Sequence, residues 1–181
     1  MANTNPQSKT QPGTTWEGAA WFLQWNCRTF ARKKAGFLLR YPAGTRPVVL
    51  LLQEAQVPNL SLQGYDTYTR PTIPHRQRTP NGPGSKAPPH SVNYRGNAAV
   101  LVAVRISHDE LDLQRWCTQH QEVVVVALQL PQCKVVVVSI YVRPSIRNSV
   151  TINWSWVGDL RKMHPDALVV FGGDFNTRRT C

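Results

Sequence analysis

Runs of apolar residues, separated by short polar or proline-containing segments, dominate the chain from residue 21 onward. Continuous stretches rich in Val, Ile and Leu that are too short for buried helices predict strands covered on both faces. The predicted strands are 21–27, 46–56, 97–106, 122–130, 134–142 and 167–173. Only "PQC" separates the fourth from the fifth, and this spacing predicts a β-hairpin.

Two segments have a helical spacing of apolar residues. In "RTFARKKAGFLLRY", residues 28–41, the large apolar side chains fall on one face and the lysines and arginines on the other. In "SVTINWSWVGDLRKM", residues 149–163, Ile152, Trp156 and Leu160 recur every fourth position. Residues 108–120 fit either a short helix or an irregular crossover. The order of elements predicts a mixed α/β domain.

Two polar stretches lie outside this pattern. We predict that residues 1–19 form a disordered leader, and that one domain occupies residues 20–181. Residues 70–93 form a long Pro/Gly-rich basic loop, and loops of that length are usually functional or disordered. The loop could cover a nucleic-acid backbone, or it could be a solvated insert.

The charge of the chain narrows the choice of partners. Its 181 residues contain 21 Lys and Arg against 10 Asp and Glu, a net charge of +11. This imbalance favours a polyanionic partner, although a fragment whose acidic part is missing would also show it.

No apolar run approaches the ~20 residues needed to span a membrane. The four cysteines fit no zinc-binding spacing. Without a secretory signal we expect reduced thiols and an intracellular protein, either nuclear or cytoplasmic.

Polar residues stand where several apolar runs end. They are Asn26, Glu54, Tyr141, Asp174 and Asn176. Ligands of α/β sheets collect beyond the carboxyl ends of strands, so these side chains could meet at one edge. Carboxylate and amide oxygens suit Mg²⁺, a second carboxylate can deprotonate water, and phenol and amide groups can donate hydrogen bonds to phosphoryl oxygens. The set therefore predicts metal-assisted hydrolysis of a phosphodiester; taken singly, each residue also fits a core position, a turn or a solvated strand end.

The stretches "LQWNC", "LLLQEAQ", "YRGNAAVLV", "VVVVSIYVRP" and "VVFGGDFNT" occur in an order that resembles the endonuclease/exonuclease/phosphatase superfamily. Within it, they look most like the endonuclease domain of non-LTR (LINE-type) retrotransposons. The resemblance covers about residues 20–178.

The resemblance implies a four-layer α/β sandwich, two mixed sheets flanked by helices, with a Mg²⁺ or Mn²⁺ site at one edge. It implies that Asn26 and Glu54 lie at the metal, that Tyr141 and Asn176 contact the scissile phosphate, and that Asp174 acts on the attacking water. In the retrotransposon branch the enzyme nicks target DNA, and a reverse transcriptase follows on the same polypeptide.

One motif of the family has no counterpart here. The family carries a Ser-Asp-His motif after "GDFN", whereas all five histidines of this chain precede that position. We therefore expect a domain that is incomplete at its C-terminus, with an exposed apolar face, marginal stability and a tendency to aggregate.

Three functions remain open at this point. The first is a DNA-nicking endonuclease whose activity is weakened or lost with the Ser-Asp-His segment. The second is a basic module that binds nucleic acid without cutting it. The third keeps the enzyme class but acts on RNA or a phospholipid headgroup, and the +11 charge disfavours the phospholipid. We assign nucleic-acid contacts to Arg95, Arg143 and Arg178.

Overall fold

The structure is a computed structural model that describes residues 21–56, 60–69, 97–111, 116–118, 120–143 and 153–175. The predicted leader, the loop at 70–93, and the first residues of the predicted second helix lie outside these ranges. No helix in the described part of the chain is long and apolar enough to cross a membrane.

The first sheet contains four strands in the order β1-β2-β4-β3. Their bounds are β1 Phe22–Asn26, β2 Val49–Gln53, β3 Tyr65–Thr69 and β4 Ala99–Ala103. β1 and β2 are parallel, and β4 is antiparallel to both β2 and β3. Every residue of β2 and β4 is buried, including Gln53 at the end of β2, and their otherwise apolar sequences predict this burial.

The second sheet contains four strands in the order β5-β6-β7-β8. Their bounds are β5 Ser107–Glu110, β6 Gln121–Gln129, β7 Lys134–Val142 and β8 Leu168–Asp174. β6 and β7 form the predicted antiparallel hairpin, whereas β7 and β8 are parallel. Each sheet therefore contains one parallel pair and two antiparallel pairs.

A helix connects each parallel pair. α1, Phe30–Arg40, joins β1 to β2, and α2, Ser155–Met163, joins β7 to β8. Phe30 and Phe37 of α1 pack against Trp25 of the first sheet. Trp156 and Leu160 of α2 are fully buried against the second sheet. The molecule is thus an α/β sandwich of two mixed sheets with helices on its outer faces, as the family resemblance implied.

The core between the sheets follows from strand alternation. Successive side chains of β6 and β7 point to opposite faces. Val124 and Val137 belong to the apolar cluster shared with the first sheet, whereas Val125 and Val138 belong to the cluster beneath α2. A sheet buried on both faces therefore requires strands in which even and odd positions alike are apolar.

The structure differs from the sequence predictions in three places. Residues 108–120 were expected to form a helix or crossover, but they begin as strand β5, whose backbone pairs with β6. Strand β3 was not predicted, because its sequence "YDTYT" is largely polar and only half-buried. The last strand was predicted to be buried, which is wrong: Leu168 is 62% and Phe171 48% exposed, since β8 pairs with β7 alone among the described strands.

Candidate active site

Four of the predicted site residues lie at the carboxyl ends of the two parallel strand pairs. Asn26 is the last residue of β1, and Glu54 directly follows β2. Asp174 is the last residue of β8, and Tyr141 stands opposite it on β7. Each strand–helix–strand unit therefore supplies two residues, and the two units face each other across the sandwich.

The segments after β1 and β2 run side by side and fix the position of Glu54. Backbone hydrogen bonds join Cys27 N to the Gln53 carbonyl (3.0 Å) and Thr29 N to the Glu54 carbonyl (2.8 Å). Glu54 has φ 52°, a left-handed conformation that non-glycine residues adopt at a cost of about 1–3 kcal/mol. This turn directs the Glu54 side chain toward Asn26 instead of continuing the strand.

Asn26 lies at the centre of the site and connects the two sheets. Its Nδ2 donates to Glu54 Oε1 (3.2 Å) and to Asp174 Oδ2 (2.6 Å). Its Oδ1 is buried and has no hydrogen-bond partner in the described part of the chain. A buried carbonyl oxygen without a partner is costly, so the arrangement suits an additional electropositive ligand at Oδ1.

The donor set fits a hard divalent cation. Glu54 and Asn26 offer a carboxylate and an amide oxygen, the ligand types that Mg²⁺ takes from proteins. Among the described residues no group of three or more His, Cys, Asp or Glu could hold a metal. The ligands assigned to the cation among the described residues are therefore only Glu54 and Asn26. So small a set suits Mg²⁺, which keeps several waters and binds substrate phosphate oxygens.

Tyr141 supplies a hydroxyl that stays protonated at neutral pH. Burial, reinforced by the negative charges of Glu54 and Asp174, raises the pKa of Tyr141 to about 12. The side chain is 8% exposed and lies on the face of β7 that meets the first sheet. At pH 7 this phenol can therefore donate a hydrogen bond to an anionic oxygen.

A second polar group lies beside Tyr141 and was not predicted from the sequence. Glu122, 4% exposed, accepts hydrogen bonds from the backbone N and Nδ2 of Asn97, from the backbone N of Ala98 and from Arg143. Burial raises the pKa of Glu122, while these donors act in the opposite direction. The sequence signal that could have indicated Glu122 is a glutamate near the start of a Val-rich strand.

The remaining predicted site residues have different outcomes. Arg143, predicted to contact nucleic acid, lies 3.1 Å from Glu122, which holds its guanidinium in place. Asn176, Arg95 and Arg178 lie outside the described residues. The roles of all these residues remain predictions.

Comparison with known proteins identifies the fold. No family model and no curated protein matches the sequence. Solved structures do: the endonuclease domain of TRAS1, a telomere-specific non-LTR retrotransposon, has a TM-score of 0.54 and 18% identity over 88% of this chain and 61% of that one. The human Nocturnin catalytic domain has a TM-score of 0.55 and 16% identity over 88% of this chain and 64% of that one. TDP2 from C. elegans has a TM-score of 0.51 and 17% identity over 87% of this chain and 48% of that one.

The chain thus spans less than two thirds of the length of these three proteins. All three have folds of the endonuclease/exonuclease/phosphatase type. The described part of the chain has the fold of the endonuclease/exonuclease/phosphatase superfamily.

Proposed function

We propose that this chain belongs to a divalent-metal-dependent phosphodiesterase that nicks nucleic acid, and that it acts on DNA as a retrotransposon endonuclease does. The observation that carries the proposal is the meeting of Asn26, Glu54 and Asp174, with Asn26 Oδ1 buried and without a partner among the described residues. The net charge of +11 favours nucleic acid over a small substrate.

In this proposal Glu54 and Asn26 hold a Mg²⁺ or Mn²⁺ ion through their oxygens. Such an ion, when bound, neutralises charge on the phosphoryl oxygens. Asp174 orients the attacking water and accepts its proton, and the hydrogen bond from Asn26 Nδ2 fixes the direction of the carboxylate. Tyr141, still protonated because its pKa is about 12, donates to a phosphoryl oxygen as charge develops there. Asn176 is proposed to add a second donor.

A plasmid-nicking assay with Mg²⁺ or Mn²⁺ tests the proposal. We expect the wild-type chain to convert supercoiled plasmid to open circle at a weakened rate, and Glu54→Gln and Asp174→Asn each to reduce that rate further, by about a hundredfold or more. The matched control is Asp109→Asn, which removes one exposed carboxylate from β5, at the opposite edge of the second sheet from β8. The control should retain the wild-type rate.

The second candidate, nucleic-acid binding without catalysis, is favoured by the small number of strong metal ligands, since no third His, Cys, Asp or Glu joins Glu54 and Asp174 in the described ranges. It predicts binding that weakens steeply with salt, because basic side chains release counterions from phosphates. Salt-sensitive binding that is unchanged in Glu54→Gln, without nicking in either metal, would establish this second function and reject the first.

A further inference from the structure

A buried layer of hydrogen bonds lies directly behind the candidate active site. Gln53 Nε2 donates to Ser139 Oγ (3.0 Å) and to the Gly172 carbonyl (3.2 Å). Gln53 Oε1 accepts from Gln24 Nε2 (2.6 Å), and Ser139 Oγ donates to the Leu52 carbonyl (2.9 Å). Gln53 and Ser139 are both 0% exposed, whereas Gln24 is exposed, so the part of the network around Gln53 and Ser139 is shielded from water.

Each of the four strands that carry or precede a site residue also contributes at least one group to this layer. The network groups are Gln24 on β1, Gln53 at the end of β2, Ser139 on β7 and Gly172 on β8. The site residues that lie on or directly follow the same strands are, in the same order, Asn26, Glu54, Tyr141 and Asp174. On three of the strands the network group and the site residue are two positions apart. Residues two apart share a face of the sheet, so the side chains of Gln24 and Ser139 lie on the same faces as those of Asn26 and Tyr141.

Gln53 is the residue on which the layer depends. Its carboxamide uses both N–H groups and its oxygen, and both donors cross from the first sheet to acceptors on the second. Apolar contacts between sheets are non-directional and permit small slides, whereas hydrogen bonds weaken steeply with misalignment. The network therefore fixes the register of one sheet against the other.

We propose that Gln53 is a positioning residue that sets the separation of the Asn26–Glu54 pair from the Tyr141–Asp174 pair. Its consequence for catalysis rests on the proposed function, but its consequence for geometry does not. The hydrogen bond from Asn26 Nδ2 to Asp174 Oδ2 joins the two sheets. This bond is therefore a direct reporter of their register.

Gln53→Met tests the proposal, because methionine has a similar length and no strong hydrogen-bonding group. Two readouts apply: the NMR signal and exchange rate of the Asn26 side-chain amide, and the separate kcat and KM for plasmid nicking. We expect the Asn26 amide signal to move and its exchange to accelerate about tenfold. We expect kcat to fall about 10–100-fold with KM within threefold, since displacement of reacting groups by ~1 Å can cost a hundredfold.

The matched control is Leu50→Met, a substitution of similar volume in the same strand that takes no part in the network. It should leave both readouts unchanged while lowering stability by less than about 1.5 kcal/mol. If Gln53→Met fails to fold, Ser139→Ala, which keeps the Gln53 bond to Gly172, should move the Asn26 amide signal in the same direction.

An Asn26 amide signal that is identical in wild type, Gln53→Met and Ser139→Ala overturns the proposal. If the wild-type chain does not nick DNA, the proposed function fails, and the Asn26 amide signal still decides whether Gln53 positions the sheets.

Discussion

Gly172 allows the two sheets to approach closely, and Gly172→Ala tests how tightly they pack. A Cβ at this position would lie 2.8 Å from Gln24 Cγ, 2.8 Å from Leu51 Cδ1 and 2.9 Å from Leu51 Cβ. These distances are about 0.7 Å shorter than the ~3.5 Å at which carbon atoms attract each other. Because Leu51 Cβ cannot rotate away, the added methyl group must push β8 away from the first sheet.

The expected cost follows from this overlap. Excess volume in a packed core typically costs about 1–3 kcal/mol. For a domain of 150–250 residues, this corresponds to a decrease in Tm of roughly 2–12 °C. The displacement should also stretch the hydrogen bond from Gln53 to the Gly172 carbonyl, so the proposed nicking activity should fall together with stability.

Gly158→Ala is the matched control for Gly172→Ala. Gly158 lies in α2, and a Cβ there would meet no atom within 4 Å. Alanine in a helix is more stable than glycine by about 0.5–1 kcal/mol, so Tm should rise by roughly 1–4 °C. Thermal melts followed by far-UV circular dichroism measure both variants. A Gly172→Ala protein that melts at or above the wild-type temperature would refute the close approach of the sheets.

Three further predictions concern charge and exposure. The pKa of Tyr141 is raised from 10.0 to about 12, so the native state holds the phenolic proton more tightly than the unfolded state does. The free energy of unfolding therefore falls as pH rises from about 10 to about 12. Urea titrations should show a smaller fall in Tyr141→Phe than in wild type, and an equal fall would contradict this prediction. Arg143→Met leaves the buried Glu122 carboxylate without its cation and should lower the free energy of unfolding by about 1.5–3 kcal/mol. A double-mutant cycle with Glu122→Gln should show coupling between the two residues, and strictly additive effects would contradict this prediction. Leu168→Lys places a charge on β8, which pairs with β7 alone among the described strands, and should reduce aggregation in light scattering, with stability within about 0.5 kcal/mol of wild type. Equal aggregation of the two proteins would contradict this prediction.

The fold could be predicted wherever burial determines the residue pattern. The Val-rich sequences of β6 and β7 cannot form stable exposed elements, and the short "PQC" segment between them leaves a hairpin as the simple solution. Strands β3 and β5 escaped prediction because they are partly exposed and polar. Backbone pairing with β4 and β6 holds them in place, and that pairing leaves little trace in side-chain type.

The residues at the strand ends of the site could be predicted, whereas the buried network behind them could not. Polar residues that end apolar runs indicated Asn26, Glu54 and Asp174, and the structure brings these three together. Gln53 has a clear role in three dimensions, but its hydrogen-bond partners are 86 and 119 residues away in sequence. A glutamine inside a strand buried on both faces was the available signal, because such an amide must find partners.

The division of the site between two strand–helix–strand units has a consequence for the order of events in time. Asn26 and Asp174 are 148 positions apart, so during synthesis the first unit emerges long before its counterpart exists. Contacts this distant along the chain form late and slowly. The complete candidate site should therefore form only in the last stage of folding, once the sheets have docked, and never in an early half-folded chain.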